Sequence, residues 1–98
     1  MSDDFGFAPP PFKPEDALGS LKRSLRDLRP LAERGGGFEL AGKRVIELAV
    51  EAGAIGVKLA KHPALQPEWE RQTLKSSADQ RKLIDEVKKR LVRWAQDD

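Results

Sequence analysis

Cysteine is absent from this 98-residue chain, and so is tyrosine. Without thiols there is no disulfide framework, no thiolate nucleophile and no cysteine-based zinc site. The composition suits a reducing compartment, and a cytoplasmic protein is expected. Histidine occurs once, as His62, too few for an ordinary zinc centre, and no run of carboxylates has calcium-loop spacing. The serines lack a G-x-S-x-G setting and a histidine partner. The glycines at 35–37 are not followed by the lysine and hydroxyl residue of a phosphate loop. Long hydrophobic runs are missing too. The longest apolar stretch is interrupted by Glu47, Glu51 and Lys58, whereas a membrane span needs about 20 nearly uncharged residues. Eighteen basic and sixteen acidic side chains leave a net charge of +2, too little to name a polyanionic partner. These shortages lead to the expectation of a protein that is not an enzyme and uses no cofactor, metal or membrane.

What remains is a charge-rich globular composition, 39% hydrophobic and 35% charged, with enough chain for one core. Residues 1–13 read as an arm, disordered or partly docked. Pro9, Pro10 and Pro11 favour polyproline II, and no apolar periodicity appears. Phe5, Phe7 and Phe12 sit in this arm, either to plug the core or to engage a partner. Residues 14–98 read as a single helical domain.

A first helix is expected from Pro14, with Leu18, Leu21, Leu25 and Leu28 in one stripe that Pro30 ends. Gly35, Gly36 and Gly37 read as a flexible joint. From Lys43 to Lys61, winding at 100° per residue gathers Lys43, Arg44, Glu47, Glu51, Lys58 and Lys61 into one polar arc, which predicts a central helix. A hairpin with strands on either side of Ala52-Gly53 competes. Strand alternation asks for polar residues of one parity, however, and Arg44 and Lys58 are even while Glu47 and Glu51 are odd. Pro67 begins a short helix carrying Trp69. Ser76 and Asp79 form a capping box before a last helix whose apolar face is Leu83, Ile84, Val87, Leu91 and Trp94. The fold expected is all-α: a small bundle of three to four helices with a flexible, Phe/Pro-rich N-terminal arm.

Wound as a helix, Ala49, Gly53, Gly56 and Ala60 form a row of small residues that lets another helix approach closely. That predicts tight packing within one chain or self-association as a homodimer. The same stretch has the alanine–glycine spacing of a helix-turn-helix, although Ile55, Gly56, Val57 and Ala60 cannot hydrogen-bond base edges. Lys22, Arg26 and Arg29 lie along one flank of the first helix, where they could track phosphates or simply cover the core's edge. His62, before Pro63, reads as a helix cap. Trp69 and Trp94 read as core residues. The function expected is a small soluble adaptor or regulatory protein acting by protein–protein interaction, through Phe5, Phe7 and Phe12 or the row Ala49, Gly53, Gly56 and Ala60. The alternative is a helical, helix-turn-helix-like nucleic-acid-binding regulator using Lys22, Arg26 and Arg29.

Overall fold

Pro14 opens helix α1 (Pro14–Arg26), and Glu15 and Asp16 occupy its first turn. There a proline lacks only an unneeded N–H, and carboxylates meet the positive helix end. A computed structural model describes residues 12–96, so the arm's Phe5 and Phe7 lie outside the described residues. After α1 come five strands: β1 (Ala32–Arg34), β2 (Gly37–Leu40), β3 (Lys43–Glu51), β4 (Ala54–Ala60) and β5 (Trp69–Leu74). They form one antiparallel sheet whose spatial order is the chain order. Helix α2 (Ser77–Gln96) follows.

The fold is therefore α+β, and the expected all-α bundle is wrong. The central helix is the β3–β4 hairpin, turning at Ala52-Gly53. No helix-turn-helix exists there, and the small-residue row does not lie on a helix. The expected Trp69 helix is strand β5, with Trp69 opposite Ala60.

Two local devices explain why alternation misleads here. A two-residue turn inverts parity across a hairpin. Glu47 pairs with Lys58, Ala49 with Gly56 and Glu51 with Ala54, so odd residues of β3 share a face with even residues of β4. Farther along β3 the register slips. Phe38 faces Ile46 while the adjacent Glu39 faces Arg44, leaving Val45 as the extra residue of a β-bulge. The bulge swings Arg44 onto the face of Glu47, whose carboxylate it meets at 3.2 Å. Consecutive Val45 and Ile46 can then both be buried. The polar arc of the imagined helix is the polar face of this hairpin.

Energetics favour the sheet. A helix would carry Gly53 and Gly56 at a cost of about 1 kcal/mol each. Val45, Ile46, Val50, Ile55 and Val57 lose rotamer freedom in a helix and pack well on a pleated surface. In the hairpin Gly53 supplies a φ of +71° that the turn requires. The expected flexible joint is likewise a tight turn. Gly35 and Gly36 take φ of +52° and +79°, the mirror-image geometry that matches strand twist.

The signals at the two ends of the chain hold. Leu21 and Leu25 of the expected stripe are fully buried. Ser76 Oγ accepts from Asp79 N–H at 3.2 Å, and Asp79 reaches back to Lys75 N–H at 2.9 Å. Both helices lie on one face of the sheet, α1 over β3 and β4 and α2 against β5. They also meet each other, where Gln80 Nε2 donates to Ala17 O at 2.9 Å. Phe38, Ile46, Ile55 and Leu59 from the sheet complete one core with Leu83 and Val87 of α2. Among the described residues no helix is long and apolar enough to cross a membrane.

Candidate functional site

The sheet separates the residues that the helical reading had joined. Ala49 and Gly56 are direct cross-strand partners on the face away from the helices. Gly53 sits in the turn, and Ala60 is buried at the far end of β4. The Ala49–Gly56 pair floors a hollow of about 340 Å³, walled by Glu47, Glu51, Lys58 and Arg71. Those walls largely answer one another. Glu47 lies between Arg44 and Lys58, which is 3.9 Å away, and the Glu51 side chain lies over Gly56.

The expected phosphate-tracking flank is similarly occupied. Arg26 Nε donates to Glu33 Oε1 of β1 at 2.5 Å. This hydrogen bond, with the Arg26 and Lys22 charges nearby, holds the Glu33 carboxyl below its ordinary value. Only Arg29 of the three stands clear of Glu33. Phe12 is half-buried and edges a cleft where the N-termini of α1 and α2 meet, lined mainly by lysine, serine and aspartate. His62 caps no helix; it is exposed in the connection between β4 and β5.

A third hollow, of about 420 Å³, has different chemistry. It lies at the C-terminal end of α2. Pro30 after α1, Leu40 at the end of β2, Pro63 after β4 and Leu91 of α2 wall it, and Trp94 floors it. Trp94 is only 2% exposed, and its indole N–H points to Lys61 O at 3.4 Å. Leu65, two residues from Pro63, is 87% exposed. Lys43 lies at the groove's edge and is the one charged residue lining it among the described residues. The chain thus builds an apolar slot with a single cation at its mouth.

Arg90 holds this end of α2 in place. Its guanidinium is mostly covered, and it donates to Glu86 at 2.8 Å, to Ala60 O at 2.9 Å and to Glu70 of β5. Such forked, charge-assisted bonding fixes orientation better than a point charge could. Leu91 follows directly and Trp94 comes one turn later, so Arg90 anchors to the sheet the part of α2 that lines the groove.

The same contact gives a pH signature. The hydrogen bond and charge of Arg90 hold the Glu70 carboxyl below its ordinary value of 4.5, against a smaller opposing effect of burial. A carboxyl lowered in the folded state stabilises fully above 4.5. That contribution is lost as the pH falls from there through the lowered folded value. Glu70→Gln is therefore expected to unfold at lower urea than the parent at pH 7, with the gap narrower at a pH well below 4.5. A gap unchanged between the two pH values would refute the assignment.

Trp94 and Leu91 are legible as an apolar helix face. What sequence reasoning missed is that Leu40 at the end of β2, and Pro30 and Pro63 from two separate connections, meet that face and leave it incompletely covered. The two prolines, one after Arg29 and one after His62, were the available signal. Among the described residues no cluster of three or more histidine, aspartate or glutamate side chains could hold a metal ion. Compared with known protein families, curated proteins and solved structures, the chain matches none.

Proposed function

We propose that this protein is a small adaptor that works by protein–protein recognition, and that the groove over Trp94 is its binding site. The partner supplies a short segment whose apolar side chain enters between Leu40 and Leu91. An acidic residue beside that side chain meets Lys43 at the edge. The observation that carries the reading is the coincidence of an aromatic floor and apolar walls with a lysine at the edge. Burial of an anchor side chain supplies affinity, and rim charge supplies orientation and rate. Nothing in this mechanism requires catalysis or a cofactor, and the lack of cysteine suits a reducing compartment such as the cytoplasm.

The test is titration with ten-residue peptides carrying one phenylalanine flanked either by aspartates or by lysines. Fluorescence is read in a Trp69→Phe background, so that Trp94 reports alone. The aspartate-flanked peptide is expected to bind in the micromolar range. Ala95→Glu adds a negative charge at an exposed wall position and is expected to weaken it at least tenfold, about 1.4 kcal/mol. Equal binding of both peptides, or none at millimolar concentration, would overturn the reading.

A second reading rests on the outer arc of α2, where Arg81, Lys82, Lys88, Lys89 and Arg93 are exposed with Asp85 and Val92 among them. That arc, rather than the Lys22/Arg26/Arg29 flank, is where nucleic-acid phosphates would lie. A labelled duplex in the same titration decides it, because phosphate tracking must weaken steeply with salt.

A further inference from the structure

Helix α2 carries different chemistries on its two sides. Leu83, Val87 and Trp94 are buried against the sheet. On the opposite side, winding at about 100° per residue sorts the exposed residues into three lines. Arg81 and Lys88 form one row. Lys82, Lys89 and Arg93 form a second, roughly 110° around the helix from the first. Ala78, Asp85 and Val92 run along the crest between the rows, each seven residues from the next. Five cations against one carboxylate exceed the net charge of the whole chain, which is +2. Among the described residues none of these six charged side chains makes an ion pair. Glu86, on the flank towards β5, is bonded to Arg90 instead. We propose that α2 lies in the major groove of duplex DNA, with its two cation rows against the phosphates of the two strands and its crest against the base edges. The proposal rests on the second reading above and names the form of nucleic acid and how it is held.

The crest decides the shape of the partner. A flat anionic surface laid on this arc meets the crest first and presses Asp85 against like charge. A DNA groove reverses that arrangement, because its walls carry the phosphates and its floor carries base edges. There the Asp85 carboxylate accepts from a cytosine amino group, and Val92 meets a thymine methyl. Size agrees. A helix with its side chains is about 10–12 Å across, and the B-form major groove is about 12 Å wide. From Arg81 to Arg93 the rows rise about 18 Å, and a duplex offers one charge per about 1.7 Å. A-form RNA does not fit, because its major groove is too deep and narrow for side chains to read. A bilayer fits no better. A membrane-lying helix buries an apolar face beside its cations, but α2 commits that face to the core and leaves Val92, 62% exposed, as the one large apolar residue on the crest. The helix is also well placed. It packs against β5, the last strand of the sheet, so beyond that flank no further strand blocks a groove wall.

The experiment is fluorescence anisotropy of the full chain with a labelled G·C-containing DNA duplex, the RNA duplex of the same sequence and a single DNA strand, from 50 to 200 mM salt. The DNA duplex is expected to bind, with affinity falling about 500-fold across that range for five engaged phosphates. Lys88→Gln/Lys89→Gln removes two of those contacts and should lower the slope of log affinity against log salt by about two. The RNA duplex and the single strand should bind at least tenfold more weakly. Asp85→Ala gives the sign that separates a groove from a flat contact. It should weaken binding to the DNA duplex at least fivefold, whereas removing an acid from a flat phosphate contact strengthens it, and strengthening would overturn the groove. Equal binding of all three nucleic acids, with the slope still lowered in the lysine variant, leaves phosphates on α2 and overturns the groove alone. No binding at 50 mM salt, or a slope indifferent to the lysine variant, overturns both. Binding to phosphatidylserine vesicles without binding to DNA places a lipid surface on the arc and also overturns both.

Discussion

Trp94→Ala is expected to remove about 3–5 kcal/mol of stability, because an indole leaves a space that its surroundings cannot fill. At 2% exposure Trp94 sits where α2, the end of β2 and the β4–β5 connection converge. The long contact from its N–H to Lys61 O contributes less than the volume does. Trp94→Phe keeps most of that volume and loses the N–H, so it should cost well under half as much. Urea unfolding of the two variants separates these contributions. Comparable losses would place the energy in the hydrogen bond, and a loss under about 1 kcal/mol for Trp94→Ala would mean that the indole is not packed. The adaptor reading adds a second consequence. Trp94→Phe remains folded but flattens the groove floor, and peptide affinity should fall more than stability does.

Gly37→Ala is expected to be nearly as damaging, at about 3 kcal/mol or more, for a reason unrelated to burial of side chains. A β-carbon at Gly37 would lie 2.2 Å from Ile46 O and 2.9 Å from an Arg44 guanidinium nitrogen. The arginine can swing aside, although it would surrender its bonds to Arg34 O and Gly35 O at 2.8 and 2.7 Å. The Ile46 carbonyl belongs to the β3 backbone beside the bulge and cannot move without disturbing the register there. Gly36→Ala is the informative comparison. Gly36 has a φ of +79° and open space around it, its nearest contact lying 4.0 Å away. An alanine there meets only the left-handed conformational penalty of about 1–2 kcal/mol. Thermal unfolding should therefore rank Gly37→Ala well below Gly36→Ala. The reverse order would mean that β2 lies farther from β3 than described.

The ends of the chain could be read from sequence because their signals are local. Pro14 with Glu15, the leucine steps of α1, and the Ser76–Asp79 cap each act within one or two helical turns. The middle could not, because its signals depend on pairing. Arg44, Glu47, Glu51 and Lys58 look helical only when parity is counted along an uninterrupted strand. A bulge at Val45 and a two-residue turn at Ala52-Gly53 each reset that count, and neither leaves a mark as plain as Asn-Gly. The cost of two glycines inside a helix was visible, and in the sheet it disappears. The groove was half legible. The apolar face of α2 follows from periodicity, but the arrival of Leu40, Pro30 and Pro63 beside it depends on where the five strands place the end of β2 and two connections. Lys22 and Arg26 looked available to phosphates until β1 brought Glu33 alongside them.

Because each strand pairs with the one before it, nearly every step of assembly closes a very short loop. Three hairpins turn on two residues apiece, so the entropy lost in aligning successive strands stays small. The docking of the helices, α1 on β3 and β4 and on α2, where Gln80 bonds Ala17, and α2 back onto β4 through Arg90 and Ala60, joins distant parts of the chain. Refolding is expected to be fast for a sheet protein, with strand pairing spreading outward from the β3–β4 turn and the helix–helix contact closing last.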